Sequence, residues 1–347
     1  MNIFRAVGFV AVLASVLGGR LARGQVGAGS PQQFADLGEL KLESGAVIHG
    51  CKLGYRTLGT PNAAKSNAIV FPTWFTGTSA DVMRVFGPQG YIDTESYFFI
   101  LVDALGDGVS CSPSNSASQH GIDFPEFTIR DMVESEHRLV TEALGLKHVH
   151  AVMGGSMGGM QTFQWIVSYP EFMDVAIPIV GSPRLTSYDK MLWRSEEAAM
   201  LADPAYAGGR YDGNPKMPVV QLIHNMNLTT PEFRVQHTPL TEFESFFAAT
   251  EGTTNGAFDA NDWRWQIHAM LSQDIGKGSS LEAAAARIKA RVLLVNARQD
   301  HMVNPIPAIA FAPLIHAKLL VLEGDCGHLA PGCEADKVRP AITEALR

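Results

Sequence analysis

The amino-acid sequence predicts an α/β fold: a mostly parallel sheet flanked by helices, with a helical cap inserted late in the chain. Three observations carry this. Short apolar runs alternate with helical patterns along most of the chain. The runs are rich in β-branched and aromatic residues with little polar alternation, as strands covered on both faces require. One long stretch, residues 186–286, holds polar turns and short helical patches but no such run.

The first 24 residues stand apart. Asn2 and Arg5 precede an apolar run, residues 6–17, and the segment ends in the small-residue pattern Ala22-Arg23-Gly24. That run is too short to span a bilayer but has the length and flanks of a secretory signal peptide cut before Gln25. The expectation is a secreted or periplasmic protein with no membrane segment after cleavage; Arg20 and Arg23 after the run leave an uncleaved anchor as the alternative. Residues 40–42 and 47–57, separated by Ser44-Gly45, read as an antiparallel hairpin at the sheet edge. Buried strands follow at residues 68–71, 97–102, 148–153, 175–180, 292–297 and 319–322.

Ile129, Val133, Val140 and Leu144 recur at helical spacing, with Thr128 and Asp131 placed to cap the start and Gly145 to end the helix. A second helix is expected over residues 305–316. The predicted organisation is therefore a signal peptide (1–24), the first part of the core (25–185), the cap (186–286) and the second part of the core (287–347). Trp193, Trp263, Trp265, Phe243, Phe246 and Phe247 in the cap are read as packing residues of its helices.

Composition narrows the function. With 46% hydrophobic and 18% charged residues, the chain can bury enough apolar surface to exclude intrinsic disorder. Its 27 basic against 35 acidic residues give a net charge of -8, which excludes a general affinity for nucleic acid or anionic lipid. The four cysteines, Cys51, Cys111, Cys326 and Cys333, form no C-x-x-C pair and match no zinc pattern. In an oxidising compartment they allow two disulfides in any of three connectivities; otherwise they are buried thiols. The chain has neither an H-E-x-x-H nor a Walker A pattern, so no metal or other cofactor is expected.

The chemistry is concentrated in Gly154-Gly155-Ser156-Met157-Gly158-Gly159, directly after the strand at 148–153 and opening a helix with Met160, Phe163 and Val167 on its apolar face. Gly154-x-Ser156-x-Gly158 is a nucleophile elbow. Its serine occupies a strained strand-to-helix turn, and the residues two positions away must lack side chains so that the backbones can approach. The helix N-terminus then favours negative charge beside Ser156.

A base and an acid should follow in the order serine, acid, histidine. Asp300 comes after the strand at 292–297 and His328 after the next strand, so both loops fall at the sheet edge that carries Ser156. His301 and Asp325 are the nearest rivals. In this reading His328 takes the Ser156 proton, Asp300 holds the imidazole's tautomer, and Ser156 attacks an acyl carbonyl to give an acyl-enzyme. The oxyanion should be held by the backbone N–H groups of Met157 and, from the loop Pro72-Thr73-Trp74-Phe75-Thr76-Gly77, of Phe75.

The segment from Gly154 to Gln161 resembles the nucleophile segment of homoserine O-acetyltransferases, a branch of the α/β-hydrolase superfamily. The resemblance extends to Tyr55-Arg56-Thr57-Leu58-Gly59-Thr60, to Phe124-Pro125 with Asp131-Met132-Val133, and to Asp203-Pro204 with Gly209-Arg210-Tyr211. It implies the α/β-hydrolase fold and acyl transfer through an acyl-serine, with Ser156, Asp300 and His328 as the triad and Phe75 as the second oxyanion donor. The chain departs from the family where Thr73 and Trp74 replace the histidine that opens the oxyanion loop. Gly108-Val109-Ser110-Cys111-Ser112-Pro113 stands in place of a Gly-Ser-Thr-Gly-Pro element. The run from Val219 to Asn225 lacks the arginine with which the family holds its amino-acid substrate.

Three functions are weighed. The first is an exported serine ester hydrolase with water as acceptor. The second is an O-acyltransferase using an acyl-CoA donor and homoserine or another alcohol. The third, a catalytically silent binding protein, is disfavoured by the complete triad order. The expected partner is a small-molecule ester or acyl substrate, with no nucleic acid and no membrane; a homodimer is left open.

Overall fold

The computed structural model describes residues 30–86, 90, 92, 96–252 and 258–347. The expected signal peptide, residues 1–24, lies outside the described residues. Eight strands form one sheet: β1 (Gln33–Lys41), β2 (Val47–Leu58), β3 (Ala68–Pro72), β4 (Phe98–Val102), β5 (Val149–Gly155), β6 (Met173–Ile179), β7 (Arg291–Ala297) and β8 (Lys318–Leu322). Their order is β1-β2-β4-β3-β5-β6-β7-β8. β1, β2 and β4 pair antiparallel and every later pair is parallel, so the predicted hairpin does sit at the edge. β1 begins seven residues earlier than the sequence suggests. Register shifts around Gly38, whose φ is 58°, break the two-residue alternation that would have marked it.

Helices cover both faces. α1 (Ser79–Val82), α2 (Ile129–Arg138) and α3 (Met157–Ser168) belong to the first half; α10 (Ile306–Phe311), α11 (Ala330–Cys333) and α12 (Ala335–Ala345) belong to the last part. Between β6 and β7 lie α4 (Ser187–Ala202), α5 (Pro218–Leu228), α6 (Pro231–His237), α7 (Phe243–Gly252), α8 (Ala260–Leu271) and α9 (Leu281–Ala285), with no sheet strand among the described residues of this stretch. The capping box of α2 is as expected: Thr128 Oγ1 accepts from the Asp131 N–H at 3.2 Å and Asp131 Oδ2 from the Thr128 N–H at 2.8 Å. Gly145, at φ 65°, closes the π-helical turn that continues α2. The single helix predicted over 305–316 is instead α10 followed by a 3₁₀ turn (Ala312–Ile315), because Pro313 has no N–H to continue the α ladder.

Alternate strand residues feed two cores. Val70, Ile100 and Val102 belong to the core that includes residues of α2, α3 and α8, while Ile69, Phe71, Phe99 and Leu101 belong to the core that includes Val338 and Ile342 of α12. α3 is buried from Met157 to Val167, on all sides rather than along one stripe. The strand order reverses around β3, which lies between β4 and β5, and in open α/β sheets such a switch point opens a crevice at the carboxyl ends of the strands. All four cysteines are paired, as Cys51–Cys111 and Cys326–Cys333.

Candidate active site

β5 runs two residues beyond its predicted end, through Gly154 and Gly155, and delivers Ser156 as the residue that immediately precedes α3. Ser156 has φ 57° and ψ -119°, a conformation that a side chain disfavours and that surrounding contacts must hold. One such contact is the bond from the Ser156 N–H to the Ile179 carbonyl at 2.8 Å. The glycines are explained by what a Cβ would meet. On Gly154 it would lie 2.7 Å from the Gly158 carbonyl, and on Gly158 2.5 Å from the Pro72 oxygen; Gly155 faces open space. Gly158 therefore brings the first turn of α3 against the end of β3, where the predicted oxyanion loop starts.

Asp300 follows β7, and His328 sits in a 3₁₀ turn (Gly327–Leu329) after β8. The structure joins them to the serine: His328 Nε2 is 2.8 Å from Ser156 Oγ and Nδ1 is 2.7 Å from Asp300 Oδ2. The second carboxylate oxygen, Oδ1, accepts from the Met302 and Val303 N–H groups at 2.8 and 2.9 Å, which fixes the carboxylate plane. Asp300 and His328 are buried and Ser156 is half-buried. Asp325 shapes the histidine's loop, its backbone carbonyl accepting from Thr230 Oγ1 at 2.6 Å.

The loop carrying Phe75 is held from three sides. The Thr73 N–H donates to the Val102 carbonyl at 3.0 Å, Gln161 Nε2 of α3 donates to the Thr73 carbonyl at 3.0 Å, and Gln266 Oε1 of α8 accepts from the Thr76 N–H at 2.9 Å. Gln161 closes the segment that carries the family resemblance but has no role assigned there, and nothing in the local pattern of Gln266 distinguishes it from other buried helix residues. The Phe75 ring packs edge-on against Trp193 at 5.5 Å and Trp263 at 4.9 Å, and lies 5.6 Å from His224. Trp193 and Trp263, both read as packing residues of the expected cap, thus pack on the loop expected to hold the oxyanion. Met157 is the first residue of α3, and its N–H is among those for which a helix has no internal acceptor.

Glu196 Oε1 bonds His224 Nδ1 at 3.1 Å, and its Oε2 accepts from Trp263 Nε1 at 3.2 Å, so the run from Val219 to Asn225 supplies a carboxylate-held imidazole where the resemblance implies an arginine. The arginines that flank this run in sequence, Arg210 and Arg234, are both engaged. Arg210 pairs with Asp123 at 2.7 Å on the surface. Arg234 donates to Thr238 and Thr229 and lies 4.2 Å over the Phe246 ring. In the loop after β4, burial pushes the Asp107 carboxyl well up, aided by Asp103; burial likewise raises Asp262, against the same loop, to about 8. Among the described residues no group of three or more histidine, cysteine, aspartate or glutamate side chains could hold a metal ion.

A family model described as the alpha/beta hydrolase fold matches residues 69–332. A probable esterase of Corynebacterium glutamicum is 32% identical over 335 residues, 91% of this chain and 95% of its own length. The ethyl acetate hydrolase of Pseudomonas veronii is 32% identical over 287 residues, 78% of this chain and 81% of its own. Among solved structures, a homoserine O-acetyltransferase from Bacillus anthracis matches with a TM-score of 0.84 at 25% identity, covering 92% of this chain and 98% of that one. With the sheet order, the elbow and these likenesses together, the chain belongs to the α/β-hydrolase family, as an enzyme of the group that unites esterases with homoserine O-acetyltransferases.

Proposed function

We propose that this protein is an exported serine hydrolase that cleaves carboxylic esters through an acyl-Ser156 intermediate. The observation that carries the reading is the hydrogen-bonded chain from Asp300 through His328 to Ser156, with the serine on a strained elbow at the head of α3. His328 Nε2 accepts the hydroxyl proton as Ser156 Oγ bonds to the ester carbon, and the Asp300 carboxylate stabilises the imidazolium that forms. The carbonyl oxygen becomes an oxyanion held by the Met157 and Phe75 N–H groups. Collapse breaks the bond to the alcohol, which leaves with the proton from His328. Water, activated by the same imidazole, then attacks the acyl-serine and restores the enzyme.

Export is supported by the leader-like residues 1–24 and by the pairing of all four cysteines, a state that oxidising compartments maintain. A second reading, an O-acyltransferase with an acyl-CoA donor, is favoured by the likeness to the Bacillus anthracis enzyme. Against it, the run from Val219 to Asn225 holds no arginine for the acceptor's carboxylate. The test is turnover of aryl esters by the purified mature protein, run beside acetyl-CoA with homoserine. Ester hydrolysis should be found and should fall about 10³-fold or more in Ser156→Ala, with loss of fluorophosphonate labelling. A Ser156→Ala variant with parental activity would overturn the mechanism.

A further inference from the structure

We propose that the Cys326–Cys333 disulfide is a positioning element for the catalytic base, holding the His328 turn at the angle from which its imidazole reaches Ser156 and Asp300 together. The inference rests on the triad reading above. Cys326 begins the 3₁₀ turn (Gly327–Leu329) and Cys333 ends α11, so the bridge closes a ring of seven-residue separation with His328 inside it. A three-residue 3₁₀ turn followed by a four-residue helix has too few internal hydrogen bonds to hold its own shape.

Other contacts hold the segment on both sides of His328, where Ala330 is fully buried. The Gly324 N–H donates to Glu334 Oε1 at 3.0 Å, and Thr230 Oγ1 donates to the Asp325 carbonyl at 2.6 Å. Gly327, at φ 62°, lies so near the cap backbone that a Cβ would be 3.1 Å from the Leu228 carbonyl oxygen. The Gly324–Glu334 bond closes nearly the same ring as the disulfide, and the covalent bridge keeps the segment after His328 in place when that hydrogen bond opens. The imidazole must keep a 2.8 Å and a 2.7 Å hydrogen bond at once, so a small rotation of the turn would break one of them. The other disulfide, Cys51–Cys111, joins β2 to the loop after β4, and neither of its cysteines lies on an element that carries Ser156, Asp300 or His328.

The experiment compares Cys326→Ser/Cys333→Ser with Cys51→Ser/Cys111→Ser and the parent. All are assayed below their melting temperatures, with active sites counted by fluorophosphonate labelling so that the folded fraction drops out. The expected result is a fall in kcat per labelled serine of about 10- to 100-fold in the first variant with KM unchanged, the cost of a misplaced catalytic group, and parental kcat per labelled serine in the second. The parent is also titrated with dithiothreitol and its alkylated thiols mapped by mass spectrometry, which serves where a variant does not fold. Loss of kcat should follow alkylation of Cys326 and Cys333 and not of Cys51 and Cys111. A first variant within twofold of the parent, or activity that survives alkylation of Cys326 and Cys333, overturns the proposal. If that happens while Ser156→Ala is inert, only the positioning role falls; an active Ser156→Ala would remove the triad reading itself.

Discussion

Gly159 and Gly181 touch through their backbones: a Cβ built on Gly181 would lie 2.6 Å from the carbonyl carbon of Gly159, and one on Gly159 would lie 3.0 Å from the Gly181 Cα. The first turn of α3 is thereby seated against the segment that leaves β6, beside the bond from the Ser156 N–H to Ile179. Gly181→Ala should push the helix off this seat. The expected cost is about 1–3 kcal/mol of stability, as for overpacking, together with a lower kcat because the elbow moves with the helix. Denaturant melts and turnover per labelled serine check both parts.

Asp300→Asn separates charge and tautomer from shape. The amide oxygen can still accept from Met302 and Val303, which leaves the NH₂ group to face His328 Nδ1. A donor there forces the imidazole proton onto Nε2, the nitrogen that must accept from Ser156 Oγ. A fall in kcat of about 10³–10⁴-fold is expected with little change in melting temperature, by the logic of triads in general. Activity within tenfold of the parent would mean that another group orients the histidine.

The meeting of Asp300 and His328 with Ser156 could be expected from the sequence because each follows a strand whose apolar run is contiguous, and because the proposed chemistry restricts the residue types allowed there. What was hidden is held by contacts between distant segments. Thr76 meets Gln266 across 190 positions and Thr230 meets the Asp325 carbonyl across 95, and in each case the partners are polar residues with no local signature. The cysteine pairing was open for the same reason, since three connectivities fit the spacing. β1 was cut short because Gly38 interrupts its alternation, so a real strand lost its period.

Glu136 on α2 should tilt the stability curve against alkaline pH. Its side chain is fully buried, Trp165 Nε1 donates to Oε2 at 2.6 Å, and burial raises the carboxyl from 4.5 to about 8 despite that bond. The folded chain therefore keeps a proton that the unfolded chain gives up. Stability is fully present below about pH 4.5 and is lost as pH rises through about 8. One such proton gives a slope of up to about 1.4 kcal/mol per pH unit, and Asp107 and Asp262, also raised, act in the same direction. Glu136→Gln should make the decline between pH 5 and pH 8 shallower by about one proton. An unchanged slope in denaturant melts at pH 5, 6.5 and 8 would place the ionisation elsewhere.

The two disulfides should differ in what their loss does to the unfolded chain. Cys51 and Cys111 are 60 positions apart, Cys326 and Cys333 only 7. In the chain-entropy account the longer loop is worth about 4 kcal/mol and the shorter about 2.5 kcal/mol. Cys51→Ser/Cys111→Ser should accordingly be the less stable double variant in denaturant melts, even though Cys326→Ser/Cys333→Ser is expected to be the less active. The reverse ranking in stability would show that native-state contacts, not loop closure, dominate both bridges.

An acyl-serine is indifferent to what resolves it, so the acceptor is decided by whether the site binds an alcohol firmly and keeps water out. Homoserine is a zwitterion, and a buried site for it needs a cation for the carboxylate, preferably the bidentate fork of arginine. α5 (Pro218–Leu228) offers His224, whose Nδ1 is bound to Glu196 at 3.1 Å. Arg210 is paired with Asp123 at 2.7 Å, and Arg234 is spent on two threonine hydroxyls and the Phe246 ring. A missing charge-assisted hydrogen bond of about 1.5–3 kcal/mol corresponds to a loss of about 10- to 100-fold in acceptor binding, which leaves water at its bulk concentration the favoured nucleophile. Aryl acetates should release acetate, and acetyl-CoA with homoserine should give at least about tenfold less O-acetylhomoserine than acetate. Efficient formation of O-acetylhomoserine with poor hydrolysis of aryl esters would make the protein an acyltransferase and would require that Arg234 or His224 meets the carboxylate after all.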